Sequence, residues 1–378
     1  MDWRVPLADL DYGEAEEQAV LQVLRRRWLT MGQVTQEFED EFARFVGAKY
    51  AFAVSNATVA LHMACLALGI GPGNEVIVPS LTFVATVNSV LYTGAQVRFA
   101  DIQSEGELNI SPDDIERQIT PRTKAISVVH YGGYACRMDS ICEIANQHKL
   151  AVIEDAAHAP GAYLNDQHLG TWGDVGCFSF FSNKNLSTGE GGMLVTNRDD
   201  VAGKVRLLRS HGMTSLTWDR HHGHAYTYDV VELGYNYRID EIRSALGKVQ
   251  LSKLVANNAR RKSITEQYWL GLAAAGVGLP FRQSIGQPAY HIFPILLPEG
   301  SDRLKFIDTL RLQGIQTSIH YPPVHKFSYY RQLYPDVSLP LTESVAGREV
   351  TLPLYPGMSD EQVKLVIDSV CKSLETIC

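Results

Sequence analysis

A chain of 378 residues exceeds what one hydrophobic core usually serves, so one large and one small domain are expected. A net charge of −8 argues against non-specific attraction to nucleic acid or to an anionic membrane, although a local pocket can still be positive. No apolar stretch is long enough to span a bilayer, no apolar signal core follows Met1-Asp2-Trp3, and the six cysteines form neither a CxxC pair nor a zinc-spaced set with histidines, so a cytoplasmic protein with free thiols and no metal site is expected.

In chain order, residues 14–27 read as a helix that could pack on either domain. Residues 37–46 form a second helix, with Phe38, Phe42 and Phe45 at helical spacing. From there β-rich runs at 50–54, 75–78, 96–100, 125–130, 150–154, 176–181 and 192–196 alternate with amphipathic stretches, among them 58–68 and 139–148. This alternation predicts an α/β domain whose mostly parallel mixed sheet is flanked by helices, with ligands beyond the carboxyl ends of the strands. Residues 239–275 read as a long helical arm. Beyond it, 291–297 and 314–320 look like strands and 303–312 and 360–374 like helices, a smaller α+β domain. The expected division is 1–250 for the large domain and 251–378 for the small one.

Three segments carry chemistry. Ile153-Glu154-Asp155-Ala156-Ala157-His158 is a buried strand ending in two acids; alone, it reads as a helix N-cap. Phe178-Ser179-Phe180-Phe181-Ser182-Asn183-Lys184 runs an aromatic strand into a turn that presents one lysine, before the Gly-rich 189–192. Partial burial there would lower the pKa of the amine and make it a nucleophile toward carbonyls. Ser55-Asn56-Ala57-Thr58-Val59 opens a helix after a strand and offers backbone N–H groups to a phosphate, or is an ordinary capped turn. No GxGxxG follows a strand and no GxxxxGK[ST] is present. An acid for a pyridine nitrogen, a lysine for an aldehyde and an anion cup are together what pyridoxal 5'-phosphate (PLP) needs.

The order of these segments resembles the DegT/DnrJ/EryC1/StrS aminotransferases, a sugar-modifying branch of the aspartate-aminotransferase fold. The likeness also includes Trp28-Leu29-Thr30, Pro79–Thr86, Gly234-Tyr235-Asn236-Tyr237-Arg238 and His320-Tyr321-Pro322-Pro323. It implies that Lys184 forms the Schiff base with PLP and moves the substrate proton, with pyridoxamine phosphate as the alternate form. Asp155 pairs with the ring nitrogen, Phe83 stacks on the ring and His158 lies beside it. Thr58, the backbone at Ala57 and Val59, and Ser179 hold the phosphate. Asn236 reaches the phosphate from the partner subunit of a homodimer with shared sites, and Arg238 lies close to it. Thr30, Arg238, His320, Tyr321 and His325 are candidate substrate residues, although His320 and His325 serve equally well as parts of a stiff loop. His62, His130 and His211 read as packing or capping residues. The implied reaction moves an amino group from an amino acid, glutamate, to a nucleotide-linked 4-keto-6-deoxy sugar. A 3-keto sugar, a keto-cyclitol or a catalytically silent relative are the alternatives.

Overall fold

The computed structural model describes residues 3–215 and 227–375. Two helices, α1 (Glu14–Arg26) and α2 (Gln33–Val46), precede the first strand. The strands that follow are β1 (Tyr50–Val54), β2 (Glu75–Pro79), β3 (Gln96–Ala100), a hairpin of β4 (Ile102–Ser104) and β5 (Glu107–Ile110), β6 (Thr123–Val129) and β7 (Ala151–Asp155). A second short hairpin, β8 (Tyr163–Leu164) and β9 (Gln167–His168), leads to β10 (Val175–Ser179) and β11 (Gly192–Thr196). Connecting helices are α3 (Ala57–Ala67), α4 (Ala85–Leu91), α5 (Pro112–Gln118), α6 (Met138–His148) and α7 (Asp199–Leu208).

Seven of the strands form one sheet in the order β1-β11-β10-β7-β6-β2-β3. The ladders β10–β7, β7–β6, β6–β2 and β2–β3 are parallel, and β11 runs antiparallel to both of its neighbours. The expected mostly parallel mixed sheet is therefore present. β2, β10 and β11 are buried at every position, because helices cover both faces, and this is why they read as continuous apolar runs rather than alternating ones. Phe38 and Phe42 of α2 pack on Phe180 and Phe178 at ring separations of 5.5 and 5.0 Å.

One long helix, α8 (Glu241–Gly271), links the two cores. At its start the Glu241 carboxylate accepts the backbone N–H groups of Gly32, Val34 and Thr35, the orphan donors of α2. Leu251 and Leu254 then join the core of the large sheet, whereas Ile264 and Tyr268 join the C-terminal core. The expected boundary at 250/251 thus falls inside one unbroken helix. The N-terminal helix packs against its first half, where Val23 meets Val34 and Ala245.

In the C-terminal unit β12 (Phe293–Leu296) pairs antiparallel with β13 (Glu349–Leu352). Helices α9 (Arg303–Leu312), α10 (Ser328–Leu333), α11 (Pro340–Arg348) and α12 (Asp360–Leu374) complete it. The strand expected over 314–320 is not formed. That segment makes only isolated bridges, Ile315 to Val5 and Ser318 to Thr351 of β13. No helix among the described residues is long and apolar enough to cross a membrane. Five cysteines, Cys65, Cys136, Cys142, Cys177 and Cys371, are free thiols; Cys378 lies outside the described residues.

Candidate active site

The carboxyl ends of β1, β2, β6, β7 and β10 share one edge of the sheet, and a cavity of about 540 Å³ opens there. Nine of the anticipated residues line it: Ala57, Thr58, Phe83, Asp155, His158, Ser179, Lys184, His320 and Tyr321. Their elements explain the convergence. Asp155 is the last residue of β7, Ser179 the last of β10 with Lys184 on the turn beyond, and Ala57 the first of α3.

The two acids of β7 face different surroundings. Glu154 is fully buried and accepts the N–H groups of Gly170 and Gly173 at 2.6 and 2.7 Å and His130 Nε2 at 2.9 Å. Its carboxylate is saturated and takes no part in the cavity. Asp155 accepts a hydroxyl proton from Thr86 at 2.8 Å and the Ala157 N–H at 3.2 Å. No helix follows it, so the N-cap alternative falls away. Because Thr86 donates to Asp155, the 2.8 Å contact between Thr86 and Thr82 has Thr82 as its donor. Burial raises the Asp155 pKa, against the Thr86 hydroxyl, the Ala157 amide and the nearby Lys184 charge.

Lys184 moves the other way. Burial lowers its pKa to about 8, with Asp155 opposing. Relative to an ordinary lysine this raises the neutral, nucleophilic fraction at pH 7 about 300-fold. His158 is neutral, held well below its usual range by burial and by the charge of Lys184. Its Nδ1 accepts the Gly132 N–H at 3.2 Å, so Nε2 carries the proton and donates to the Tyr321 hydroxyl at 3.1 Å.

At the start of α3 the Asn56 side chain caps the helix by accepting the Val59 N–H at 3.0 Å. Val59 is therefore not a free anion donor, contrary to expectation, and does not line the cavity. The first helical amides, those of Ala57 and Thr58, have no carbonyl inside the helix to donate to. Gly192 keeps this cup close to β11: a Cβ there would lie 2.6 Å from the Asn56 carbonyl carbon and 2.7 Å from the Ala57 nitrogen.

The remaining candidates lie elsewhere in the chain. His325 is buried between Ser80 (2.7 Å) and Glu343 (3.1 Å), a bracing residue and not a substrate residue of this cavity. Thr30 bridges to Asp240, Asn236 bridges to Ser210, and Arg238 donates to the Ser210 hydroxyl at 2.7 Å. His130 braces Glu154, and His62 packs against Tyr92 and Tyr235 with Nδ1 3.1 Å from the Tyr237 hydroxyl. Both are packing residues, as expected. Sequence reasoning missed Thr82 and Thr86, whose i, i+4 spacing on one turn was a usable signal, and His291, which had none.

Comparison with known proteins agrees with this geometry. The model of the DegT/DnrJ/EryC1/StrS aminotransferase family matches residues 11–371. SpsC of Bacillus subtilis (strain 168), a spore coat polysaccharide biosynthesis protein, is 42% identical over 95% of this chain and 94% of its own. The solved structure of DesV from S. venezuelae superposes with a TM-score of 0.91 at 34% identity, covering 99% of this chain and 100% of that one. That of the sugar aminotransferase CalS13 from Micromonospora echinospora gives 0.89 at 29% identity, covering 97% and 99%. The fold and site define a PLP-dependent transaminase with small-molecule substrates. The chain belongs to the DegT/DnrJ/EryC1/StrS family and is a sugar aminotransferase. Solved relatives include PLP and PMP forms. The residues present fit that cofactor: Lys184 would offer an amine to its aldehyde, the first amides of α3 beside Gly192 would face its phosphate, Asp155 would face its ring nitrogen, and Phe83, 58% exposed, offers a ring face at the cavity.

Proposed function

We propose that this chain transfers the amino group of glutamate to a nucleotide-linked keto sugar, a 4-keto-6-deoxy hexose, in the cytoplasm, working as a homodimer with shared sites. The observation that carries the reading is Lys184, a half-buried residue whose amine has a lowered pKa, lining with Asp155 one cavity that also reaches Ala57 and Thr58 at the start of α3. In this reading Lys184 bonds the cofactor, the amides of Ala57 and Thr58 with the Ser179 hydroxyl hold its phosphate, Phe83 covers one face and Asp155 faces the ring nitrogen. Bound there, PLP supplies a ring that draws off the negative charge left when a proton departs the donor's α-carbon. Lys184 Nζ would take that proton and hand it to the cofactor within the same half-reaction, and would carry a proton the opposite way, onto the sugar carbon, in the second; Asp155 supplies a fixed negative charge. His158, His320 and Tyr321 bound the cavity on the side where a sugar would enter.

The sugar class is supported by the polysaccharide role named for SpsC, and the 4-keto position by the likeness of Trp28-Leu29-Thr30 and by His158. A panel of nucleotide-linked keto sugars with glutamate, followed by mass spectrometry and NMR, tests it. Nitrogen on C4 is expected. Nitrogen on C3, or amination of a free cyclitol alone, would overturn the substrate choice and leave the transaminase in place.

The shared site is supported by the segment before α8. Val230, Val231 and Leu233 are exposed there, Leu233 at 81%, apolar side chains on either side of Glu232 and a few residues before Asn236 and Arg238. Such side chains suit a two-fold interface that delivers Asn236 and Arg238 to the partner's cavity. Mixing inactive Lys184→Ala and Asn236→Ala chains is expected to restore partial activity, because each heterodimer contains one intact site. A fully active monomer in sedimentation would refute the arrangement.

A further inference from the structure

His291 lies 107 positions from Lys184 in the chain, yet its Nε2 is 3.5 Å from Lys184 Nζ. The direction of every hydrogen bond behind it can be deduced from two backbone carbonyls, which only accept. Asn258 Nδ2 donates to the Pro160 carbonyl at 2.9 Å, so Asn258 Oδ1 is an acceptor. Asn185 Nδ2 donates to that oxygen and to the Ala289 carbonyl, both at 2.8 Å. Asn185 Oδ1 is then the acceptor that meets His291 Nδ1 at 2.9 Å, so Nδ1 carries the proton. The imidazole is neutral, kept well below its ordinary pKa by burial first and by the neighbouring Lys184 and Arg261 charges. Its bare Nε2 lone pair therefore faces Lys184. Gly161 makes room for the chain, since a Cβ there would come within 2.6 Å of Asn258 Nδ2.

We propose that Asn258, Asn185 and His291 form a polarity relay whose purpose is to present a hydrogen-bond acceptor to Lys184 Nζ, holding that amine at the cavity whenever it is not bonded to the cofactor. His291 touches the reacting nitrogen; Asn185 and Asn258 are positioning residues. The inference rests on Lys184 being the cofactor lysine. An Nε2 acceptor takes one N–H of the amine and leaves its lone pair free. The opposite tautomer would aim a proton at that lone pair and block it as nucleophile and base. It would also favour the neutral amine, so the relay acts in the same direction as Asp155, against the burial that lowers the Lys184 pKa, while His158 and His320 line the same cavity as neutral rings.

The test follows carbamoylation of Lys184 by cyanate against pH in the full-length, cofactor-free chain, read by peptide mass spectrometry. The wild-type midpoint is expected near 8. His291→Phe and Asn185→Leu should each lower it by about one unit, the scale of one hydrogen bond to a charged group. His291→Gln, which keeps an acceptor oxygen, should restore at least half of the shift. In the holoenzyme the same two variants should lose roughly ten-fold in kcat with little change in KM, with rescue by His291→Gln. Unshifted midpoints in folded His291→Phe, or a His291→Gln chain as impaired as His291→Phe, would overturn the relay. The His291 pair decides the matter even if Asn185→Leu does not fold. Persistence of the visible cofactor band in Lys184→Ala would instead remove the premise, so the two failures are distinguishable.

Discussion

Lys184→Ala is expected to abolish turnover, with a loss on the order of 10⁴-fold or more, the scale seen when a covalent nucleophile that also moves the proton is removed. The size of the effect comes from geometry. Lys184 is the amine that lines the cavity, and burial lowers its pKa to about 8, so it has the neutral fraction that both jobs require. Added cofactor should still bind without a covalent bond, because the amides of Ala57 and Thr58 and the Phe83 ring are untouched. Absorbance and borohydride trapping separate the cases. The wild-type chain should show the visible band of lysine-bound cofactor and gain its mass on reduction, and the variant should show neither. Wild-type turnover in the variant would end the assignment.

The sheet and its carboxyl-edge cavity were legible in the sequence because buried parallel strands announce themselves as short apolar runs, as in Val76-Ile77-Val78 and Ala125-Ile126-Ser127-Val128-Val129. β13 was not legible. Glu349-Val350-Thr351-Leu352 is short and half polar, and its buried Glu349 and Thr351 are satisfied by His320, a contact no local pattern encodes. Burial raises the Glu349 carboxyl to about 8, so a residue type that normally signals surface sits in a core. The same limit applies to the site. Lys184, Asp155 and the start of α3 lie at strand ends and could be found by position. Val59 could not be excluded, because the sequence does not say which amide the Asn56 cap takes. His291 was invisible because its function comes from hydrogen-bond polarity passed through Asn258 and Asn185, residues that look like ordinary amides on a helix and a loop.

Asp155→Asn is expected to lose on the order of 10²-fold or more in turnover while keeping the fold, the scale for losing one electrostatic partner in a water-poor site. The neighbouring acid makes the experiment decisive. Glu154 sits one residue earlier on β7, but strand alternation turns its side chain to the opposite face, where the Gly170 and Gly173 amides and His130 already occupy it. It cannot turn toward the cavity without leaving those donors unsatisfied, at a cost of about 1–3 kcal/mol for each. Glu154→Gln should therefore lower the melting temperature and leave kcat within a few-fold of wild type, the reverse of the Asp155→Asn pattern. The asparagine also inverts part of its own surroundings. Its amide oxygen can still accept from Thr86, but its NH₂ group would face the Ala157 N–H, donor against donor. Some stability loss is thus expected from Asp155→Asn too, and activity should be compared at equal folded fraction by calorimetry and steady-state kinetics. Near-normal turnover under that control would assign the anion's role to another acid, and Glu154, saturated on the far face, would be a poor candidate for it.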